Sequence, residues 1–123
     1  MTIVLHLTQR QAWEQAQAAG EYGGDTLDTQ GFIHCSTARQ MLGVANRFFR
    51  GQTGLALLCI ETEKVKPPVI FEHPINPDSG EVEPGAEQFP HIYGPLNLDA
   101  VVQVFDFPPN ADGTFTLPQE LPA

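Results

Sequence analysis

Residues Leu55-Ala56-Leu57-Leu58-Cys59-Ile60 form an apolar run uninterrupted by any polar side chain. Such a run is short for a helix. Because it does not alternate, it has no face to leave in water, so it predicts a central strand buried on both sides. A fold built around that strand must cover each face with another layer. With 123 residues, one domain can do this without disulfide help, and no second domain is expected.

The remaining elements follow from punctuation and period. Ile3 to Leu7 predicts a first strand, and Thr8 then offers an N-cap oxygen to a helix over Gln9–Ala19 that ends at Gly20. Ala12, Trp13 and Ala16 give that helix a narrow apolar stripe. Glu21 to Thr29 is expected as a loop, and Gly31 to Cys35 as the second strand. Ser36 or Thr37 opens the clearest helix: Thr37 and Gln40 fit a capping box, Met41, Leu42, Val44, Ala45, Phe48 and Phe49 recur at helical spacing, and Gly51 is placed to end it. Val69 to Glu72 is a further strand. His73 to Gln88, with three prolines and two glycines, is a long loop. Phe89 to Leu96, with two prolines and a glycine, reads as an irregular strand end rather than a central strand. Ala100 to Phe107 is the last strand. The expected fold class is α+β: a strongly bent mixed or split sheet of about six strands with two main helices. It forms one domain over residues 1–107, followed by a Pro-rich surface tail over 108–123. Trp13, Ile33, Met41, Leu42, Val44, Phe48, Leu57, Ile60, Val69, Phe71, Val102 and Val104 are the expected core.

Composition narrows the function. No apolar run approaches the ~20 residues that span a bilayer, and the N-terminus enters a strand without a secretory pattern, so a cytoplasmic protein is expected. Cys35 and Cys59 sit between apolar neighbours and suit buried, reduced thiols. The formal net charge is −9, and all six Lys and Arg precede residue 67. A nucleic-acid backbone needs clustered cations, so long DNA or RNA is disfavoured as a partner. The sequence carries no signal of oligomeric state.

Three segments repeat a histidine followed two residues later by a hydroxyl: His6-Leu7-Thr8, His34-Cys35-Ser36 and His91-Ile92-Tyr93. On extended strands each histidine and its hydroxyl share a face, which makes a polar site floor, although ordinary hydrogen-bonded sheet residues would give the same pattern. Three imidazoles sharing one cleft would also oppose one another's charging, so at least one is expected to titrate low. Ser36, at a strand-to-helix junction, is placed either to hold a phosphate or ribose oxygen or to cap the helix. Glu72 is the one acid in an apolar strand run, so it either faces a cleft, as a base or a ribose acceptor, or emerges into solvent. A histidine-held metal is the weaker competitor, because no His-x-His or His-x-x-x-His pair sets two ligands side by side.

The two motifs Gly31-Phe32-Ile33-His34-Cys35-Ser36 and Phe89-Pro90-His91-Ile92-Tyr93-Gly94-Pro95-Leu96 carry a resemblance. With His6, Thr8, Trp13, Tyr22, Gln40 and Glu72, they make the chain resemble, from Ile3 to about Phe107, the bacterial family known as domain of unknown function 952. That family has no established activity. The resemblance implies a fold similar to that of ADP-ribosyltransferases and related RNA phosphotransferases, which hold NAD in a cleft of a split, bent sheet. By position it places His6 at a ribose, His34 and Ser36 in the second motif, His91 and Tyr93 as the wall over the nicotinamide end, and Glu72 as the acid, with Thr8 and Gly94 as further ligand-binding candidates. It thus names His34, Glu72 and His91 as catalytic candidates. Two departures stand out. Phe89 to Leu96 holds no acid where a transferase aims its glutamate, and four arginines are few for an RNA phosphotransferase, though Arg39 can approach from the helix start.

Two classes of function follow. The first is a small-molecule site for NAD or an ADP-ribose-like ligand, with transfer or hydrolysis at a ribosyl carbon if it is catalytic. The second is a non-catalytic module that keeps the cleft, or the 73–88 loop, for a partner.

Overall fold

In a computed structural model, which describes residues 2–24, 26–73 and 87–121, the apolar run becomes β4 (Leu55–Glu61). It is the middle strand of an antiparallel ladder between β1 (Ile3–Gln9) and β8 (Val101–Asp106). Leu55 to Ile60 are all buried. Alternation divides them between two cores. Ala56, Leu58 and Ile60 join Val4, Tyr22 and Ile92 on one side, closed by α1 (Arg10–Ala19) through Trp13 and Ala16. Leu55, Leu57 and Cys59 join Leu5 and Leu7 on the other, closed by α3 (Ala38–Phe48) through Met41 and Ala45. The two main helices therefore cover opposite faces of one ladder.

A second antiparallel ladder has the order β3 (Ile33–His34), β6 (Phe89–Ile92), β5 (Val69–Glu72), and β2 (Glu21–Tyr22) pairs with β7 (Leu96–Asn97). Among the described residues one isolated bridge joins the two three-stranded ladders. The Leu5 amide donates to the Ser36 carbonyl at 2.6 Å, and the Ser36 amide returns a bond to the Leu5 carbonyl at 2.8 Å. Among the described residues the architecture is α+β, with the strands split among three antiparallel sheets; the alternative of a mixed sheet does not hold.

Several local expectations are corrected. Thr8 caps no helix: β1 runs on through Gln9, Thr8 pairs with Ala56, and α1 begins at Arg10 with no side-chain cap. The segment read as a loop over Glu21–Thr29 contains β2 and the start of a short helix, α2 (Leu27–Gln30). β6 is a central strand despite Pro90. Proline lacks only the N–H, and its carbonyl still accepts from the Cys35 amide at 3.0 Å; the missing return donor ends β3 pairing there. Phe48, Phe71 and Val102 are exposed, because α3 ends beyond the core and β5 and β8 are ladder edges. The chain beyond Phe107 packs back onto the domain: Phe115 is buried and stacks on Phe107 with ring centroids 4.9 Å apart, and its amide donates to Asn46. The loop expected over His73–Gln88 lies, from 74 to 86, outside the described residues.

The capping box forms as read. Thr37 Oγ1 accepts from the Gln40 amide at 3.3 Å, and Gln40 Oε1 accepts from the Thr37 amide at 3.0 Å. Ser36 is therefore not the cap. Because β4 is covered on both faces, Leu58→Ala should lower unfolding free energy by ~2–5 kcal/mol, whereas Val102→Ala on the exposed edge should change it by under about 1 kcal/mol. Urea unfolding of the two variants checks this, and equal losses would contradict the two-core arrangement.

Candidate functional site

The Leu5–Ser36 bridge sets His6, one residue further along β1, against the end of β3. His6 Nδ1 donates to the His34 carbonyl at 2.5 Å, and its Nε2 lies 2.6 Å from the Tyr22 hydroxyl. That hydroxyl also reaches Thr8 Oγ1, at 2.9 Å. Tyr22 has one proton for two neighbours. A neutral His6 accepts a hydrogen bond from it at Nε2 while Thr8 donates to Tyr22; a charged His6 donates to Tyr22, which in turn donates to Thr8. In either state both ring nitrogens of His6 are committed to protein partners.

His34 and His91 are direct cross-strand partners, with ring centroids 5.3 Å apart at 71°. Phe32 stacks on His91 at 4.2 Å and touches the rings of His34 at 4.7 Å and Tyr93 at 5.2 Å. His34 Nε2 lies 2.8 Å from Gln30 Oε1 and donates to it. On the far side, His91 Nδ1 donates to Glu72 Oε1 at 2.9 Å, and the Tyr93 hydroxyl donates to the same oxygen. These two bonds, Tyr93 foremost, hold the Glu72 carboxyl below its ordinary pKa; the same contact with Glu72 raises that of Tyr93. A carboxylate so stabilised is a weak base at neutral pH and a good orienting group for His91. Partial desolvation of the ring on its cavity side, and then the charge of His91, lower the pKa of His34, though the residue keeps an exposed side.

A cavity of about 530 Å³ opens at the free edge of β1, beneath α3. Its polar wall includes His6, Thr8, Tyr22, Thr26, His34 and Ser36. Its apolar wall includes Leu7, Met41, Phe48 and Phe49. Ser36 is 4% exposed, and its hydroxyl has no hydrogen-bond partner among the described residues. The Leu5 N–H and C=O both turn to Ser36, away from β4, so by alternation Leu7 also turns its N–H and C=O away from β4. Those groups have no backbone partner among the described residues and lie at the cavity floor.

The structure thus groups the sequence candidates in two. His6, Thr8, His34 and Ser36 line the cavity, while Glu72, His91 and Tyr93 form a cluster behind His34. Gly94 serves packing: a Cβ there would stand 2.9 Å from the Pro67 Cβ. Arg39 pairs with Glu87 at the surface. Sequence reasoning assigned no role to Tyr22, which lies in a stretch read as a loop, nor to the Leu7 backbone, which only ladder register exposes. Cys35 and Cys59 are buried; burial raises the pKa of Cys59 to about 11 and that of Cys35 further still, so neither serves as a nucleophile. No helix among the described residues is long and apolar enough to cross a membrane.

Two three-stranded antiparallel ladders joined, among the described residues, by one isolated bridge, with a cavity at the junction, define a small α+β protein with a candidate ligand site. Residues 7–104 match the family described as Protein of unknown function (DUF952), and the chain belongs to that family. It is similar to the crystal structure of protein CC0527 from Caulobacter crescentus, with 32% sequence identity, 94% of each chain covered and a TM-score of 0.79. A double mutant of that protein gives 0.78 at the same identity and coverage. Its solution NMR structure gives 0.74 at 33% identity, covering 93% of this chain and 91% of that one. No protein of curated function matches the chain.

The shifts at this site have a sign. The fold depresses the Glu72 pKa, so its stabilising contribution is present above the ordinary value of 4.5 and is lost as pH falls through the lower folded value. The His34 pKa is also depressed, so the unfolded chain takes up its proton first and stability falls as pH drops below 6.5. Tyr93→Phe should remove the principal cause of the Glu72 shift and flatten the acid limb below pH 4.5. Denaturant midpoints against pH, with NMR titration of the His34 ring, check both. A His34 that titrates above 6.5 would contradict this.

Proposed function

We propose that the cavity at the β1 edge binds a nucleotide-type ligand bearing a primary carboxamide, NAD being the chemically matched example, and that the fold belongs with the ADP-ribosyltransferase-like folds. The observation that carries this is the Leu7 backbone. An N–H and a C=O that have no backbone partner among the described residues, side by side, complement a carboxamide, which offers one acceptor and one donor in the same plane. Met41, Phe48 and Phe49 supply apolar surface for the attached ring, and the Ser36 hydroxyl and the His34 imidazole supply contacts to a sugar. The Thr8–Tyr22–His6 relay shapes this wall by holding the His34 carbonyl.

If ribosyl chemistry occurs, the glycosidic C–N bond breaks with its electron pair leaving on nitrogen, an incoming hydroxyl oxygen bonds to the anomeric carbon, and its proton passes to the neutral His34 imidazole at the cavity, with His91 set behind it. Glu72 orients His91 in this scheme. Such a protein would act in the cytoplasm on a small molecule.

A second reading, binding without transfer, is favoured by one observation. No carboxylate is among the described residues of the cavity wall, and Glu72 is engaged by His91 and Tyr93.

Isothermal titration against NAD, ADP-ribose, mononucleotides, nicotinamide and nicotinic acid tests the proposal. NAD and nicotinamide should bind. Nicotinic acid should bind more weakly, because a carboxylate cannot donate to the Leu7 carbonyl. Ser36→Ala should weaken NAD binding by up to about tenfold. Absence of heat with every compound at millimolar concentration would overturn the proposal, and binding without release of nicotinamide would select the second reading.

A further inference from the structure

His34 and His91 face each other at a non-hydrogen-bonded position of the β3–β6 ladder: the next pair, Cys35 and Pro90, carries the backbone bond, so the pair before it is the kind whose side chains approach most closely. We propose that these two histidines form a cross-strand chelate for one divalent transition-metal ion of the zinc or nickel type, a site that shares His34 with the cavity wall and takes its second ligand, His91, from behind it.

Three features support it. First, each imidazole has one nitrogen held as an N–H by an oxygen acceptor, His34 Nε2 by Gln30 and His91 Nδ1 by Glu72, at 2.8 and 2.9 Å. This fixes the tautomers and leaves His34 Nδ1 and His91 Nε2 as lone-pair nitrogens with no hydrogen-bond partner among the described residues. An oxygen acceptor behind each ligating imidazole is the arrangement that supports metal-bound histidine. Secondly, the ring separation fits. A ring nitrogen lies roughly 1.1 Å from its centroid and binds zinc at about 2.0–2.1 Å, so two imidazoles on one tetrahedral ion hold their centroids about 5.2 Å apart. The observed separation is 5.3 Å. Thirdly, the Phe32 ring stacked on His91 fixes one ligand plane, while His34 is exposed and gives an ion access from solvent. Among the described residues no group of three or more histidine, cysteine or carboxylate side chains converges, so water completes the coordination shell. Intermediate affinity is expected of such a site.

The test is titration of the full chain, freed of metal by chelator, with Ni²⁺ and Zn²⁺ at pH 7.5. Binding is followed calorimetrically and through the histidine ring resonances. One equivalent should bind at micromolar metal and perturb His34 and His91, leaving His6 unmoved because its nitrogens are both engaged. His34→Ala should weaken binding at least tenfold. The exposed change Gln30→Ala, which leaves both ligands in place, should weaken it by up to about tenfold through the lost support of His34. Absence of saturable binding below millimolar metal, perturbation of His73 instead, or undiminished binding in His34→Ala would overturn the site. No nucleotide is present, so this outcome is independent of the cavity's ligand.

Discussion

The pair of backbone bonds between Leu5 and Ser36 is the contact on which the site depends. β1 lends one edge to β4, and on its other edge exchanges hydrogen bonds with a single residue at the end of the second ladder. That one bridge brings His6 against the His34 carbonyl. It also leaves the Leu7 edge uncovered and starts α3 immediately afterwards, so that the helix roofs the cavity. A second bridging residue would fill the edge with strand. The two cores on either side of β4 hold the bridge in place, since Leu5 belongs to one and Val4 to the other.

Three similar His-x-hydroxyl segments have three different outcomes, decided by neighbours rather than by the segments. His6 is consumed by hydrogen bonds within the protein. His91 is buried against a carboxylate and an aromatic face. His34 stands between them, half in the cavity and half in solvent, with its ring opposite His91 and its carbonyl beneath His6. Its position lets one residue take part in both the ligand wall and the cross-strand pair, and it makes His34 the residue whose loss should be felt most widely.

Much of this was legible in the chain. The unbroken run Leu55–Ile60 announced a strand covered on both faces, and Thr37 with Gln40 announced the start of α3, because both signals act over a few residues. What depended on distant partners was not legible. Pro90 argued against a central strand, yet its one missing donor falls where β3 ends. Tyr22 lay in a Gly- and Asp-rich stretch, and only pairing with Leu96 turns it inward to His6. Phe115 followed a Pro-rich stretch that reads as surface, and its burial rests on Phe107 and Asn46, neither of which local pattern connects to it. The histidines themselves were visible; that His6 has no nitrogen to spare was not.

The central claim is that the uncovered β1 edge is a recognition surface. Its most direct measurement is amide-resolved NMR of the protein titrated with nicotinamide alone, a ligand small enough to report on the edge without a sugar or phosphate. The Leu7 amide should shift saturably and slow its exchange with solvent, with smaller shifts at Ser36 and His34. A titration that leaves Leu7 unmoved, or shifts residues only outside the cavity wall, would contradict the account.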